Sequence, residues 1–123
     1  MSCIFCQLEP ARIIAENDLS FAIYDGYPVT KYHSLIIPRR HAETYFDLTA
    51  EEREACHQLM VEMKYEILSE DSTVDGFNVG MNSGASAGQT VFHCHIHLIP
   101  RRTGDMENPR GGVRGVIPDK QQY

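Results

Sequence analysis

One domain of several short strands with a single long helix packed on them is predicted by three observations. Several short stretches alternate apolar and polar residues as strands do, one long stretch carries an apolar stripe at helical spacing, and the 123-residue length suits a single domain, residues 1–123. A chain of this length can bury most of its apolar surface without cross-links, and 42% hydrophobic content agrees with a globular protein.

Residues 12–16 read as a first strand and Asn17-Asp18 as a turn. Residues 19–24 alternate Leu, Phe and Ile with smaller or more polar neighbours, which completes a hairpin; Asp25-Gly26-Tyr27-Pro28 then breaks the strand. The third strand, 33–40, is ended by Pro38, which cannot donate to a central ladder. Its run from His33 to Arg40 echoes 95–102, with His33 in the place of His95 and an arginine pair at the far end of each. Thr49 is expected to cap a long helix with Glu52 as its capping-box partner, and Cys56, Leu59, Met60, Met63 and Ile67 form one stripe facing the sheet. The helix ends near residues 69–71. A fourth strand covers 76–81 and leads into a loop of small and hydrogen-bonding residues, 82–90, whose backbone N–H groups could approach a phosphate. Residues 91–100 form the last strand. The tail, 103–123, is rich in Gly and Pro and expected to be largely irregular, with a short extended piece at 113–117.

The net charge of −6 argues against general adhesion to nucleic acid. Positive charge gathers locally at Arg39, Arg40, Arg101, Arg102, Arg110 and Arg114; each alone reads as a surface charge, and together they could draw an anion. The first residues have neither the basic region nor the apolar stretch of a secretory signal, and the longest apolar runs are too short to span a bilayer, so a soluble, cytoplasmic protein is expected. In a reducing compartment four cysteines do not imply two disulfides. Cys56 and Cys94 read as buried thiols, whereas Cys3 and Cys6 form a C-x-x-C pair open to redox or metal chemistry.

The most informative stretch is His93-Cys94-His95-Ile96-His97. On one strand the three imidazoles would line one side and Cys94, Ile96 and Leu98 the other. They could together ligate a metal, as H-x-H pairs do, or a neutral imidazole could itself be a nucleophile. Three merely structural histidines are a poor account of that spacing directly after a Gly/Ser loop.

The run Asn82-x-Gly84, Ala87-Gly88-Gln89-Thr90-Val91-Phe92-His93-x-His95-x-His97-Leu98-Ile99-Pro100 resembles the signature of the histidine triad (HIT) superfamily, in which three histidines alternate with apolar residues. The likeness extends upstream through Asp25, His33-x-Leu35-x-Ile37-Pro38 and His41 to Cys3-Ile4-Phe5-Cys6. It implies an α+β fold with a five-stranded antiparallel sheet and one long helix, a homodimer, and hydrolysis or transfer at the α-phosphate of a nucleotide. By the same resemblance His95 would be the nucleophile, its far ring nitrogen held as N–H by an acceptor, such as a backbone carbonyl. His97, Gln89 and Thr90 would donate to phosphate oxygens, Asn82 and Gly88 would complete the cradle, Asp25 would accept from the ribose and Ile23 would touch base or sugar. Cys3, Cys6, His41 and His93 resemble the structural zinc site of one branch, which has no open position for water. With His93 so engaged, His33 would support the triad. The leading expectation is a hydrolase of dinucleoside polyphosphates or adenosine phosphoramidates. A regulatory zinc protein that binds nucleotide without turnover is the alternative, and a metalloenzyme using all three histidines a third.

Overall fold

The computed structural model describes residues 3–123; Met1 and Ser2, part of the N-terminal stretch read above, lie outside the described residues. Five strands form one antiparallel sheet: β1 (Ile13–Glu16), β2 (Ser20–Tyr24), β3 (Ser34–Pro38), β4 (Gly76–Gly80) and β5 (Ile96–Arg101), in the order β1-β2-β3-β5-β4. The single long helix, α1 (Ala50–Glu70), packs on β1, β2 and β3. This is the predicted α+β architecture.

Asn17 shapes the β1–β2 hairpin: its Oδ1 accepts from the backbone N–H of Leu19 and Ser20, and its Nδ2 donates to the Ala55 carbonyl of α1. The expected helix cap is present, with Thr49 and Glu52 bonding each other's backbone N–H. Cys56, Leu59, Met63 and Ile67 are all buried, and they meet Ala22, Ile36, Ile96 and Leu98 on one face of the sheet. The opposite face carries a second core of Phe5, Phe21, Ile23, Leu35 and Ile37. Because β2 and β3 are covered on both faces, they read as nearly continuous apolar runs.

Two expectations need correction. The ladder of β5 begins only at Ile96, so His93 and His95 precede the strand. The β3–β5 register pairs Ile36 with Ile96, and two steps further Pro38 has no N–H to offer. Its carbonyl is taken by the His93 ring, and the Cys94 N–H turns instead to the carbonyl of Ala42. In the tail, 113–117 is not extended. Gly111 and Gly112 adopt positive φ and lead the chain into a tight helical turn, Gly112–Val116.

Candidate active site and metal centre

Antiparallel pairing of β3 with β5 sets His33 beside His97 rather than beside His95, its counterpart in the sequence echo. His33 Nδ1 accepts from the Val29 backbone N–H at 3.0 Å, so its proton belongs on Nε2. That Nε2–H lies 2.9 Å from His97 Nδ1, which must then accept, leaving the His97 proton on Nε2. Asp25 Oδ2 stands 3.4 Å from His33 Nε2 and 4.0 Å from His97 Nδ1. Burial holds the pKa of both imidazoles below the ordinary value, partly offset by the Asp25 carboxylate. Both are thus neutral at neutral pH.

His95 has the opposite tautomer. Its Nδ1 lies 2.9 Å from the His93 carbonyl oxygen, which can only accept, so Nδ1 carries the proton and Nε2 keeps its lone pair. The half-buried His95 ring is braced edge-on by Phe5, with centroids 5.1 Å apart. It opens on a cleft of about 370 Å³ that also receives Asp25, Ile23, His97, Thr90, Asn82 and Gly88. Gly88, at φ +96°, closes the turn Ala85–Ala87 in a conformation that suits glycine and presents its backbone to the cleft.

Gln89 is placed differently from expectation. Its side chain is buried; Oε1 accepts from the Gly84 N–H at 2.8 Å, and Nε2 donates to the carbonyls of Glu43 and Val91. With both ends committed to backbone, Gln89 shapes the loop and has no free N–H for a phosphate. Four of the arginines are paired with carboxylates rather than open to an anion: Arg39, Arg40, Arg101 and Arg102 pair with Glu16, Glu52, Asp105 and Asp71. Arg110 and Arg114 flank the ring of Tyr123. The arginine that lines the cleft is Arg12, held by the Tyr24 carbonyl, together with Ile4, Phe5 and Tyr27. Nothing in the local sequence marks Arg12, whereas Ile4 and Phe5 lie inside the C-x-x-C motif.

A second cluster lies at the other end of the histidine run. His93 is fully buried; its Nε2–H donates to Pro38 O at 2.8 Å, which turns Nδ1 toward Cys3 Sγ and Cys6 Sγ, each 3.5 Å away. His41 Nδ1 lies 3.4 Å from Cys6 Sγ. Tetrahedral zinc with bonds of about 2.3 Å to sulfur and about 2.0–2.1 Å to nitrogen separates S and N by about 3.5 Å. The donor set and its spacing therefore fit zinc, and the four ligand atoms all lie within 4.8 Å of one another. A site made of all three triad histidines is not formed: His95 is in neither of the His/Cys/acidic groups close enough to share an ion among the described residues, the other being Asp25, His33 and His97. Among the described residues, no helix is long and apolar enough to cross a membrane.

Comparison with known proteins points to one family. The family model described as HIT domain matches residues 7–104. An uncharacterized HIT-like protein of Methanocaldococcus jannaschii is 36% identical over 124 residues, covering 96% of this chain and 94% of that protein. An adenylylsulfatase of Arabidopsis thaliana is 36% identical over 107 residues, covering 84% of this chain and 54% of the plant protein. The crystal structure of a Zn-bound histidine triad family protein from Mycobacterium smegmatis superposes with a TM-score of 0.71 at 35% identity, covering 88% of this chain and 81% of that one.

Proposed function

The chain belongs to the HIT domain family, and from that premise we propose that it hydrolyses a nucleotide at the α-phosphate through a covalent bond between phosphorus and His95 Nε2. The observation that carries this reading is the hydrogen bond from His95 Nδ1–H to the His93 carbonyl, which keeps the Nε2 lone pair aimed into the cleft. As the Nε2–P bond forms, the bond to the leaving group breaks and its electrons stay on the departing atom. His97 Nε2–H, its Nδ1 held by His33, donates a hydrogen bond to that atom, which takes its proton from solvent. Water then attacks phosphorus and gives up a proton to solvent as the Nε2–P bond breaks, and His95 leaves as neutral imidazole, so the protons balance over the two halves.

In this reading Thr90 and Asn82 donate to the phosphate oxygens with the Gly88 backbone beside them and Asp25 accepts from ribose hydroxyls, and all four lining one cleft supports it. Ile23 lines the same cleft as an apolar contact for base or sugar. A relative that is an adenylylsulfatase supports an adenylyl group as the transferred unit. Dinucleoside polyphosphates and adenosine phosphoramidates are the substrate classes to which the reading extends. Zinc bound by Cys3, Cys6, His41 and His93 would supply structure only, because four protein ligands leave no position for water. A homodimer in the cytoplasm completes the proposal, and sedimentation velocity tests the first part of it.

The deciding experiment is rapid quench with a labelled panel of both substrate classes and mass spectrometry of the His95 peptide. A nucleotidyl adduct on that peptide in wild type, absent from His95→Ala, is expected. Undiminished turnover by His95→Ala would overturn the proposal.

A further inference from the structure

Two of the four cysteines are within reach of solvent, and they are the pair that shares the metal cluster. Cys6 is exposed and Cys3 half-buried, whereas Cys56 and Cys94 are 1% and 2% exposed inside the core. A recess of about 640 Å³ bordered by Cys3, Cys6, His41 and Glu43 opens onto the pair. Resting on the zinc reading above, we propose that Cys3 and Cys6 are an oxidation site. A hydroperoxide converts them to a disulfide, which releases the ion and loosens one wall of the nucleotide cleft.

The backbone is already folded for that bond. The Gln7 N–H donates to the Cys3 carbonyl at 3.0 Å and closes residues 3–7 into one helical turn. Residues three apart on such a turn have Cα atoms about 5 Å apart, inside the range of about 4.4–6.8 Å that a disulfide spans. Both sulfurs lie 3.5 Å from one atom, His93 Nδ1, and within 4.8 Å of each other. Rotation of the two side chains joins them with the turn intact. As zinc ligands they are thiolates before the oxidant arrives. The exposed Cys6 thiolate attacks one peroxide oxygen, the O–O bond breaks, and the other oxygen departs as an anion with the electron pair, leaving Cys6 sulfenic acid. The Cys3 thiolate then attacks the Cys6 sulfur; the S–S bond forms, the S–O bond breaks and hydroxide departs. The two sulfurs together give up two electrons to the hydroperoxide, and two protons from solvent neutralise the departing oxygens.

The disulfide cannot replace the ion as a clamp. A bond inside one turn constrains nothing outside it, while the ion ties that turn to His41 and His93, 35 and 87 positions from Cys6. With Cys3 and Cys6 joined to each other, zinc keeps two imidazoles of its four ligands and departs. His93 still has its Pro38 hydrogen bond to hold the carbonyl that fixes the His95 tautomer. Ile4 and Phe5 lie between the two cysteines and line the cleft, Phe5 edge-on to His95 at 5.1 Å, and they move with the turn. Oxidation therefore acts on substrate affinity rather than on the nucleophile.

The test adds hydrogen peroxide to the zinc-loaded full chain. Zinc is followed with a chromogenic chelator, the thiols by peptide mass mapping, and the thermal midpoint and AMP affinity are measured before and after. Release of one zinc per chain is expected in step with loss of two hydrogens from the peptide carrying Cys3 and Cys6, with Cys56 and Cys94 unmodified. The midpoint should fall to that of the chelated protein and AMP binding should weaken severalfold, and dithiothreitol with added zinc should restore both. In Cys3→Ser, dimedone should trap sulfenic acid at Cys6; if that variant does not fold, the wild-type mapping decides alone. Zinc retained while methionines oxidise, zinc released with both thiols intact, or a disulfide that joins two chains overturns the proposal. Complete disulfide formation with midpoint and AMP affinity unmoved overturns it as well. Zinc content measured before peroxide separates the two readings: a chain that binds none removes the zinc site and the oxidation site together, whereas bound zinc that survives peroxide removes the oxidation site alone.

Discussion

His95 and His97 are two positions apart and carry opposite tautomers because their partners differ. A backbone carbonyl demands a proton on Nδ1 of His95, whereas the Nε2–H of His33 forbids one on Nδ1 of His97. In the proposed reaction the first ring attacks and the second donates a hydrogen bond. This arrangement requires neutral rings, and it makes stability depend on pH. Burial lowers the folded-state pKa of His33 and His97 below the ordinary 6.5, so as pH falls the unfolded chain takes up these protons first. Their contribution is complete above pH 6.5 and drains as pH falls through that value toward the folded-state pKa. Urea unfolding should show a lower midpoint at pH 5.5 than at 7.5, and His33→Asn should narrow that difference. The same substitution, by freeing the His97 tautomer, should slow adenylyl transfer by up to about 10²-fold. An unchanged pH difference in His33→Asn would show that its titration is not the source.

Among the elements, α1 was the most legible, because everything that defines it is local. Thr49 and Glu52 name the start, and the stripe from Cys56 to Ile67 names the buried face. The start of β5 was hidden because it depends on a contact between Cys94 N–H and Ala42, 52 positions apart by number, and on Pro38 lacking a donor. Gln89 likewise looked like a phosphate donor until Glu43, distant in sequence, claimed its amide. Arg12 carried no signal, since its place in the cleft follows from the β1–β2 pairing rather than from its neighbours in sequence. Glu52 joins local and distant structure, capping α1 and accepting both the Nε and Nη2 donors of Arg40. The Arg40 hydrogen bond, opposed by burial and helped by Thr49, holds the Glu52 pKa down to about 2. Its stabilising effect is full above the ordinary value of 4.5 and is lost as pH falls toward 2. Glu52→Gln should cost about 1 kcal/mol near neutrality, through the charge-assisted Arg40 bonds at a half-exposed guanidinium, since a Gln Oε1 still accepts from the Thr49 N–H. The loss should shrink in denaturation curves recorded at pH 3.

Across the whole molecule, the Cys/His cluster closes the chain on itself. It joins the N-terminal segment to the loop after β3 and to the approach to β5, with Cys3 and His93 separated by 90 positions. Phe5, between the two cysteines, packs edge-on against His93 and His95 and belongs to the core beneath Ile23 and Leu35. A metal held there would therefore fix one wall of the cleft and the backbone carbonyl on which His95 depends. Removing it by chelation, or weakening it by Cys6→Ser, should lower the thermal midpoint by on the order of 10 °C, the equivalent of a few kcal/mol for a chain of this size. Because no step of the proposed reaction passes through the cluster, adenylyl-His95 should still form in the chelated protein well below that lowered midpoint, with poorer substrate affinity. Circular dichroism and the rapid-quench assay on one sample separate the two effects. Adduct formation abolished while the fold is intact would show that the cluster acts on the chemistry directly, whereas a midpoint unmoved by chelation would remove its structural role.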